Sequence, residues 1–200
     1  IESFLEMEFE TYYRRFIMPS IRGEETGSKK RYAGLAQRPN GEETLVCKGL
    51  EAVRSDWTLL ARGVQRELYR RLFADQPYQQ WLRDWVQQLL SGQLDHQLVY
   101  RKRLRRPLSA YQRQRPPHAQ AAQKLEQWLA QQGLPSRFAD RGGWIEYRMT
   151  VNGPEPIQAS SSRLDYQHYL EKQLQPVAQA LLQFTGEDFA ALTGQQLQLF

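Results

Sequence analysis

Three adjacent cations followed by an aromatic ring form the part of this sequence whose residue types most clearly suggest chemistry. They are Lys29, Lys30, Arg31 and Tyr32. If the segment is a β-strand, Lys30 and Tyr32 share one face and Lys29 and Arg31 the other, because successive side chains alternate. An ammonium group can bind phosphate or minor-groove acceptors, and a phenol can lie against a sugar. The pattern suggests a nucleic-acid partner; the alternative is a solvated basic strand.

A second group of cations lies between Gln97 and Lys124, where the sequence has no acidic residue. Its basic residues are Arg101, Lys102, Arg103, Arg105, Arg106, Arg113, Arg115 and Lys124. Such a block repels itself unless it binds a counter-anion, and DNA carries a dense line of phosphates. An acidic protein or anionic lipid is the alternative, but the block lacks the long apolar face of a membrane-lying helix. The sequence therefore favours DNA.

The composition is that of a globular protein with a modest positive charge of +5. Its 200 residues, 40% hydrophobic and 12% aromatic, can bury the core of one large domain or two small ones. A mean hydropathy of -0.70 argues against a membrane span, and residues 1–20 are too acidic for a signal peptide. We therefore expect a cytoplasmic protein. The lone cysteine, Cys47, cannot form an internal disulfide and is expected to pack in a strand.

Two regions have the alternation of β-strands. Leu5, Met7 and Phe9 alternate with glutamates, which predicts a half-buried strand at the start of the chain. Residues 30–35 and 44–48 flank a Pro-Asn-Gly turn signal, which predicts an antiparallel pair at the edge of a sheet. Because a domain rarely opens within sheet structure, we expect the chain to be cut from a longer protein.

Helical periodicity begins after Asp56, a plausible N-cap, with apolar residues three or four positions apart over residues 59–73. A second helix is predicted from Pro77, with Asp75 as its cap, to a stop near Gly92. Two further helices are predicted at residues 118–132 and 165–184, the latter kinked or divided at Pro176, with a strand at residues 144–151 between them.

The string KKRY at residues 29–32 resembles the KKRY motif of family B DNA polymerases. Further stretches look like the palm-to-thumb junction and thumb of that family, in the same order: KGLEAVRSDW, LVYRKRLRRPLSAYQ, PPHAQAAQKL and LDYQHYLEKQLQPVAQALL. The resemblance implies an α+β fold, with antiparallel palm-edge strands followed by a mainly helical thumb domain. It places the end of the palm at residues 1–57, the thumb at 58–195 and a tail at 196–200.

The resemblance also implies roles for individual cations. Lys30 would reach the minor groove near the primer terminus, and Tyr32 would support it or touch the primer backbone. Lys29 and Arg31 would be supporting residues, directed toward phosphates or toward neighbouring acidic residues. Two more residues would bind backbone phosphate or lock the thumb to the palm by ion pairs: Lys48 and Arg54. The thumb's grip on duplex DNA would come from Arg101, Lys102, Arg103, Arg105 and Arg106.

Nucleotidyl transfer by two metal ions needs paired carboxylates on adjacent strands, and no such pair is visible in the sequence. The family's aspartate motifs, built around SLYPS and an Asp-Thr-Asp turn, do not occur either. We therefore expect no catalytic residue, metal ligand or cofactor in this fragment, and magnesium and deoxynucleotides only in a full-length DNA-directed DNA polymerase of replication or repair. The alternative is a stand-alone basic module that binds nucleic acid or protein, which the coding region upstream of Ile1 would distinguish.

The last five residues, QLQLF, resemble the peptide by which bacterial DNA polymerases bind the sliding clamp. Leu199 and Phe200 would be apolar anchors in a pocket of the clamp, beside Leu197, and Gln196 would add hydrogen bonds at its rim. The alternative is that these side chains fold back onto the final helix.

Overall fold

The computed structural model describes residues 11–19 and 30–194, which form two three-stranded antiparallel sheets together with helices. The strands are β1 (Tyr13–Ile17), β2 (Tyr32–Gln37), β3 (Glu43–Lys48), β4 (Tyr100–Leu104), β5 (Gly143–Thr150) and β6 (Gly153–Pro156). The helices are α1 (Leu59–Phe73), α2 (Gln79–Leu90), α3 (Pro117–Gln131), α4 (Tyr166–Tyr169), α5 (Gln175–Leu182) and α6 (Phe189–Thr193). This mixture confirms the predicted α+β class. The strand predicted around Leu5, Met7 and Phe9 lies outside the described residues.

The first sheet has the order β1-β2-β3 and contains the predicted antiparallel pair. Tyr32 pairs with Lys48 at one end of β2 and β3, and Gln37 pairs with Glu43 at the other. Gly41 has a φ of 83°, which a glycine adopts without strain in the connecting turn. Lys30 and Arg31 precede β2, so Tyr32 is the residue of the basic motif that belongs to the strand.

Helix α1 follows the predicted periodicity and buries Leu60, Val64 and Leu68 completely. The prediction of Asp56 as its N-cap is wrong. Thr58 is the cap, since its hydroxyl accepts a hydrogen bond from the amide of Ala61 at 3.3 Å.

The α1–α2 connection differs from the prediction, because Asp75 does not cap α2. Asp75 has a φ of 51° and forms an ion pair with Arg15 of β1, which joins the first sheet to the end of α1. Helix α2 ends before Gly92 as predicted. Trp81 and Trp85 of α2 pack against the core and are partly buried.

The second sheet, in the order β4-β5-β6, packs against α3. Strand β5 was predicted, but β4 and β6 were not. Only Tyr100 and Leu104 of β4 are buried, and the three cations between them hide the strand signal. Helix α3 occupies the predicted segment and ends before Gly133, which has a φ of 67°.

The last predicted helix is divided as expected. Asp165 caps α4 by accepting from the amide of His168 at 3.0 Å. A π-helical turn at Leu170–Leu174 separates α4 from α5, which has Pro176 at its start. Proline has no amide hydrogen and cannot continue the regular ladder of hydrogen bonds, which explains the interruption. Within residues 11–19 and 30–194, no helix is long and apolar enough to cross a bilayer.

Candidate nucleic-acid interface

The basic motif lies at the open end of the first sheet. Lys30 is exposed in the turn before β2, and Tyr32 is half-buried in the strand's first position. The ring of Tyr32 packs against Phe16 of β1, with 4.9 Å between centroids. Lys48 lies opposite Tyr32 on β3 and places its ammonium nitrogen 5.7 Å from the centroid of that ring. Tyr32 and Lys48 are thus neighbours across the two strands, and the exposed Lys30 lies two positions before Tyr32 in the chain.

Arg31 points to a carboxylate of its own chain. Its Nη2 donates to Oε1 of Glu51 at 2.6 Å, and both side chains are largely buried. The sequence left open whether Arg31 is directed toward phosphates or toward acidic residues of the chain. In the structure it is directed toward an acidic residue, Glu51. Lys29 lies outside the described residues.

Arg54 also has an acidic partner. Its Nε and Nη2 donate to the two carboxylate oxygens of Asp56, at 3.0 and 2.8 Å. The hydrogen bonds from Arg54 lower the pKa of Asp56, and the nearby charge of Lys102 lowers it further. The negative charge of Asp56 is therefore favoured by its hydrogen-bonded neighbour Arg54 and, more weakly, by a cation of β4.

Strand β4 divides its cations between two faces. Lys102 lies on the same face of β4 as the buried residues Tyr100 and Leu104. Its positive charge lowers the pKa of Asp56 and of His118 in α3. Burial lowers the pKa of His118, and the charge of Lys102 lowers it further. The sequence analysis took these cations as one group. In the structure, strand alternation places the side chain of Lys102 on the opposite face from those of Arg101 and Arg103.

Arg101 and Arg103 lie on the opposite face of β4, across from Glu146 and Trp144 of β5. The guanidinium carbon of Arg101 lies 4.6 Å from the centroid of the Trp144 ring, and its Nε lies 3.8 Å from a Glu146 oxygen. Trp144 is 41% exposed. An exposed indole beside a guanidinium group can contact a sugar or a base. Sequence reasoning missed Trp144, because the signal lies in its pairing with the unpredicted β4.

Arg105 and Arg106 continue this surface beyond the end of β4, and both are exposed. The backbone amide of Arg105 donates to the hydroxyl of Tyr111 at 3.1 Å, which fixes the loop while leaving the guanidinium group outward. We define the β4 cation surface as Arg101, Arg103, Trp144, Arg105 and Arg106.

The described residues do not fit a metal ion. Within residues 11–19 and 30–194, no three His, Cys, Asp or Glu side chains come together in an arrangement that could hold one. The carboxylates of the interface, Glu51 and Asp56, are each bound by an arginine. We therefore assign no metal-dependent step to them.

Comparison with known proteins gives consistent matches. The model of DNA polymerase family B matches residues 2–184. DNA polymerase II of Escherichia coli (strain K12) is 52% identical over 200 residues, covering 100% of this chain and 25% of that protein. DNA polymerase 2 of Aeropyrum pernix is 33% identical over 181 residues, covering 84% and 21%. The DNA polymerase delta catalytic subunit of Bos taurus is 29% identical over 184 residues, covering 85% and 16%. The chain thus spans a quarter or less of these relatives' length.

Proposed function

Because the chain belongs to family B of the DNA polymerases, we propose that it is the end of the palm and the thumb of a DNA-directed DNA polymerase, where it grips primer-template DNA. Residues 1–57 would belong to the palm and residues 58–195 to the thumb. The family match over residues 2–184 and the order of the motifs support this proposal. The full-length enzyme would act in replication or repair synthesis.

The observation that carries the proposed grip is the exposure of the β4 cation surface. Arg101, Arg103, Arg105 and Arg106 occupy one strand and the loop after it, in a stretch without acidic residues. Guanidinium groups bind phosphate oxygens in a bidentate manner and position a duplex without reading its sequence. Lys102, on the other face of β4, would contribute through Asp56 and the junction.

The first sheet would contact the primer end. Lys30 and Lys48 supply charge on either side of Tyr32, and the phenol would touch the primer backbone. Magnesium and deoxynucleotides would bind to parts of the full-length enzyme that carry the family's aspartate motifs. The isolated chain should therefore incorporate no nucleotide with any divalent metal.

We further propose that Gln196, Leu197, Leu199 and Phe200 bind a bacterial sliding clamp. These residues lie outside the described part of the chain, and the support is the sequence QLQLF alone. Deleting residues 196–200 should abolish clamp binding while leaving DNA affinity and thermal stability unchanged. A truncated chain that retains full clamp affinity would disprove the assignment.

The proposed grip is tested by the salt dependence of primer-template binding. Changing Arg103, Arg105 and Arg106 to alanine should flatten the slope of log K against log salt by about 0.9 for each phosphate that is no longer neutralised. The control variant changes three exposed arginines with partners elsewhere: Arg38, Arg70 and Arg83. Both variants reduce the net charge equally. Equal slopes for the two variants would show that the block provides no specific phosphate contacts.

A further inference from the structure

A buried carboxylate lies directly behind the basic motif. Glu51 is only 8% exposed, in a 3-10 turn that follows β3. Its Oε1 accepts from Nη2 of Arg31 at 2.6 Å, and its Oε2 accepts from Nε2 of Gln65 at 2.7 Å. Burial alone would raise the pKa of Glu51, but the hydrogen bonds from Gln65 and Arg31 outweigh it and lower the pKa. The carboxylate is therefore charged and held from two sides.

Gln65 connects this carboxylate to α1. The side chain of Gln65 is completely buried, and its Oε1 accepts from the amide of Ala52 at 2.6 Å. Arg66, the next residue of α1, donates to the carbonyl oxygen of Ala52 at 3.1 Å. Two side chains of α1 thus bind the amide and the carbonyl group of Ala52, and so hold the turn that contains Glu51.

The backbone of the motif also passes close to Gly49. Gly49 has a φ of 65°, and a β-carbon added there would lie 2.0 Å from the carbonyl oxygen of Lys30. The carbonyl group of Lys30 thus packs closely against Gly49, and the two residues that follow it are anchored, Arg31 at Glu51 and Tyr32 in the sheet.

We propose that Glu51 and Gln65 are positioning residues for DNA binding, which act through Arg31 to hold Lys30 and Tyr32 in the orientation that meets the primer end. The proposal rests on the proposed function of this motif. Its physical basis is the ordering cost of binding. A lysine and a tyrosine already held in place give up less conformational freedom when they bind phosphate and sugar groups. A buried charge with two donors also fixes Arg31 more strictly than an apolar contact would.

The test measures the affinity of the 200-residue chain for a primer-template duplex by fluorescence anisotropy at fixed salt. The variants are Lys30→Ala, Glu51→Gln and the double variant. Glu51→Gln keeps the size of the side chain but offers one acceptor where two donors approach. We expect each single variant to weaken binding about fivefold, and the double variant to be no weaker than Lys30→Ala, because residues that act through one another are not additive.

Equal and additive losses in both backgrounds would overturn the positioning role and leave the DNA contact of Lys30 intact. An unchanged affinity for Lys30→Ala would overturn the DNA contact itself, and the positioning role with it. Glu67→Gln is the matched control, since Glu67 binds Arg70 and Arg71 on α1 away from the motif, and its affinity should not change.

A second variant covers the case in which Glu51→Gln does not fold. In the exchange Glu51→Gln with Gln65→Glu, the amide at position 51 still donates to position 65, and position 65 still accepts from Ala52. Position 51 also keeps an acceptor for Arg31, so affinity should return to within about twofold of the original chain. A folded exchange variant that binds as weakly as Lys30→Ala would contradict the proposal.

Discussion

The two cation groups of this chain differ in their relation to carboxylates. In the first region, Arg31 and Arg54 each bind a carboxylate of the same chain, at 2.6 and 2.8 Å. In the β4 cation surface, Arg101 lies 3.8 Å from Glu146, and no carboxylate within the described ranges forms an ion pair with Arg103, Arg105 or Arg106. The arginines with close acidic neighbours shape the protein, and the others remain available for an external anion.

This difference is visible in the sequence only in part. The second region has no acidic residue between Gln97 and Lys124, which predicted its availability. The first region has Glu51 twenty positions after Arg31, and the fold alone brings the two together. Arginines in similar local sequences can therefore either form ion pairs within the protein or remain exposed. Three experiments test this difference between the two regions.

The largest expected effect on the free energy of unfolding comes from disturbing the close packing of the first region at Gly49. Gly49→Ala should lower the free energy of unfolding by about 2–5 kcal/mol, because alanine is strained at positive φ and its β-carbon would clash with the carbonyl group of Lys30. Gly41→Ala is the control, since Gly41 has a φ of 83° but nothing within 4 Å of the added carbon. It should cost about 1 kcal/mol in urea unfolding. Equal effects at both glycines would mean that the close approach to Lys30 is unimportant.

An intermediate effect should distinguish the arginines. Arg31→Ala leaves the buried carboxylate of Glu51 with one partner fewer and should destabilise the fold by about 2 kcal/mol. Arg103→Ala should change stability by less than about 0.5 kcal/mol, because it removes an exposed side chain. Urea unfolding measures both. The comparison between the two regions is wrong if Arg103→Ala destabilises the chain as much as Arg31→Ala.

The smallest effect is a pH dependence near the second sheet. Burial lowers the pKa of His118 and of His168, with Lys102 adding to the effect at His118. The unfolded chain therefore binds more protons than the folded chain, and stability falls as pH decreases through the unfolded histidine pKa of about 6.5. His118→Gln should reduce this fall between about pH 7.5 and pH 5.5.

The same substitution at the exposed His96 provides the control for this pH dependence. Tyr111 contacts the ring of His118, and Tyr100 and Tyr169 contact His168, so the expected fall depends on aromatic packing. Thermal unfolding at several pH values measures it. An unaltered pH dependence in His118→Gln would assign the effect to His168 or to other groups.

The sequence predicted elements whose side chains follow one period. Helix α1 and the β2–β3 hairpin appeared where the spacing of apolar residues and the turn residues placed them. Strand β4 was missed, because a cationic strand is recognised by its partner β5 and not by its own residues. The wrong caps, Asp56 and Asp75, have different causes. Asp56 binds Arg54, two positions before it, and α1 begins after Thr58. Asp75 binds Arg15, 60 positions earlier, which only the tertiary fold brings near.

The candidate site follows the same rule. Clusters of charge were predictable because they are contiguous in sequence. The partners were not: Gln65 contacts Glu51, and Trp144 contacts Arg101, through distances set by strand pairing and helix packing. Alternation along β4 also placed Lys102 opposite its neighbours, a separation that requires knowledge of the strand.

The π-helical turn has a consequence for biosynthesis. Gln173, within that turn, accepts hydrogen bonds from both the amide and the hydroxyl of Thr58, at 3.1 and 2.9 Å, across 115 positions. Thr58 is also the residue that caps α1. A ribosome synthesises the chain from its N-terminus. The hydrogen bonds of Thr58 can therefore form completely only after Gln173 has been synthesised. The cap of α1 is thus completed only after the residues that follow it by more than a hundred positions, and part of the stability of this helix depends on the arrival of Gln173.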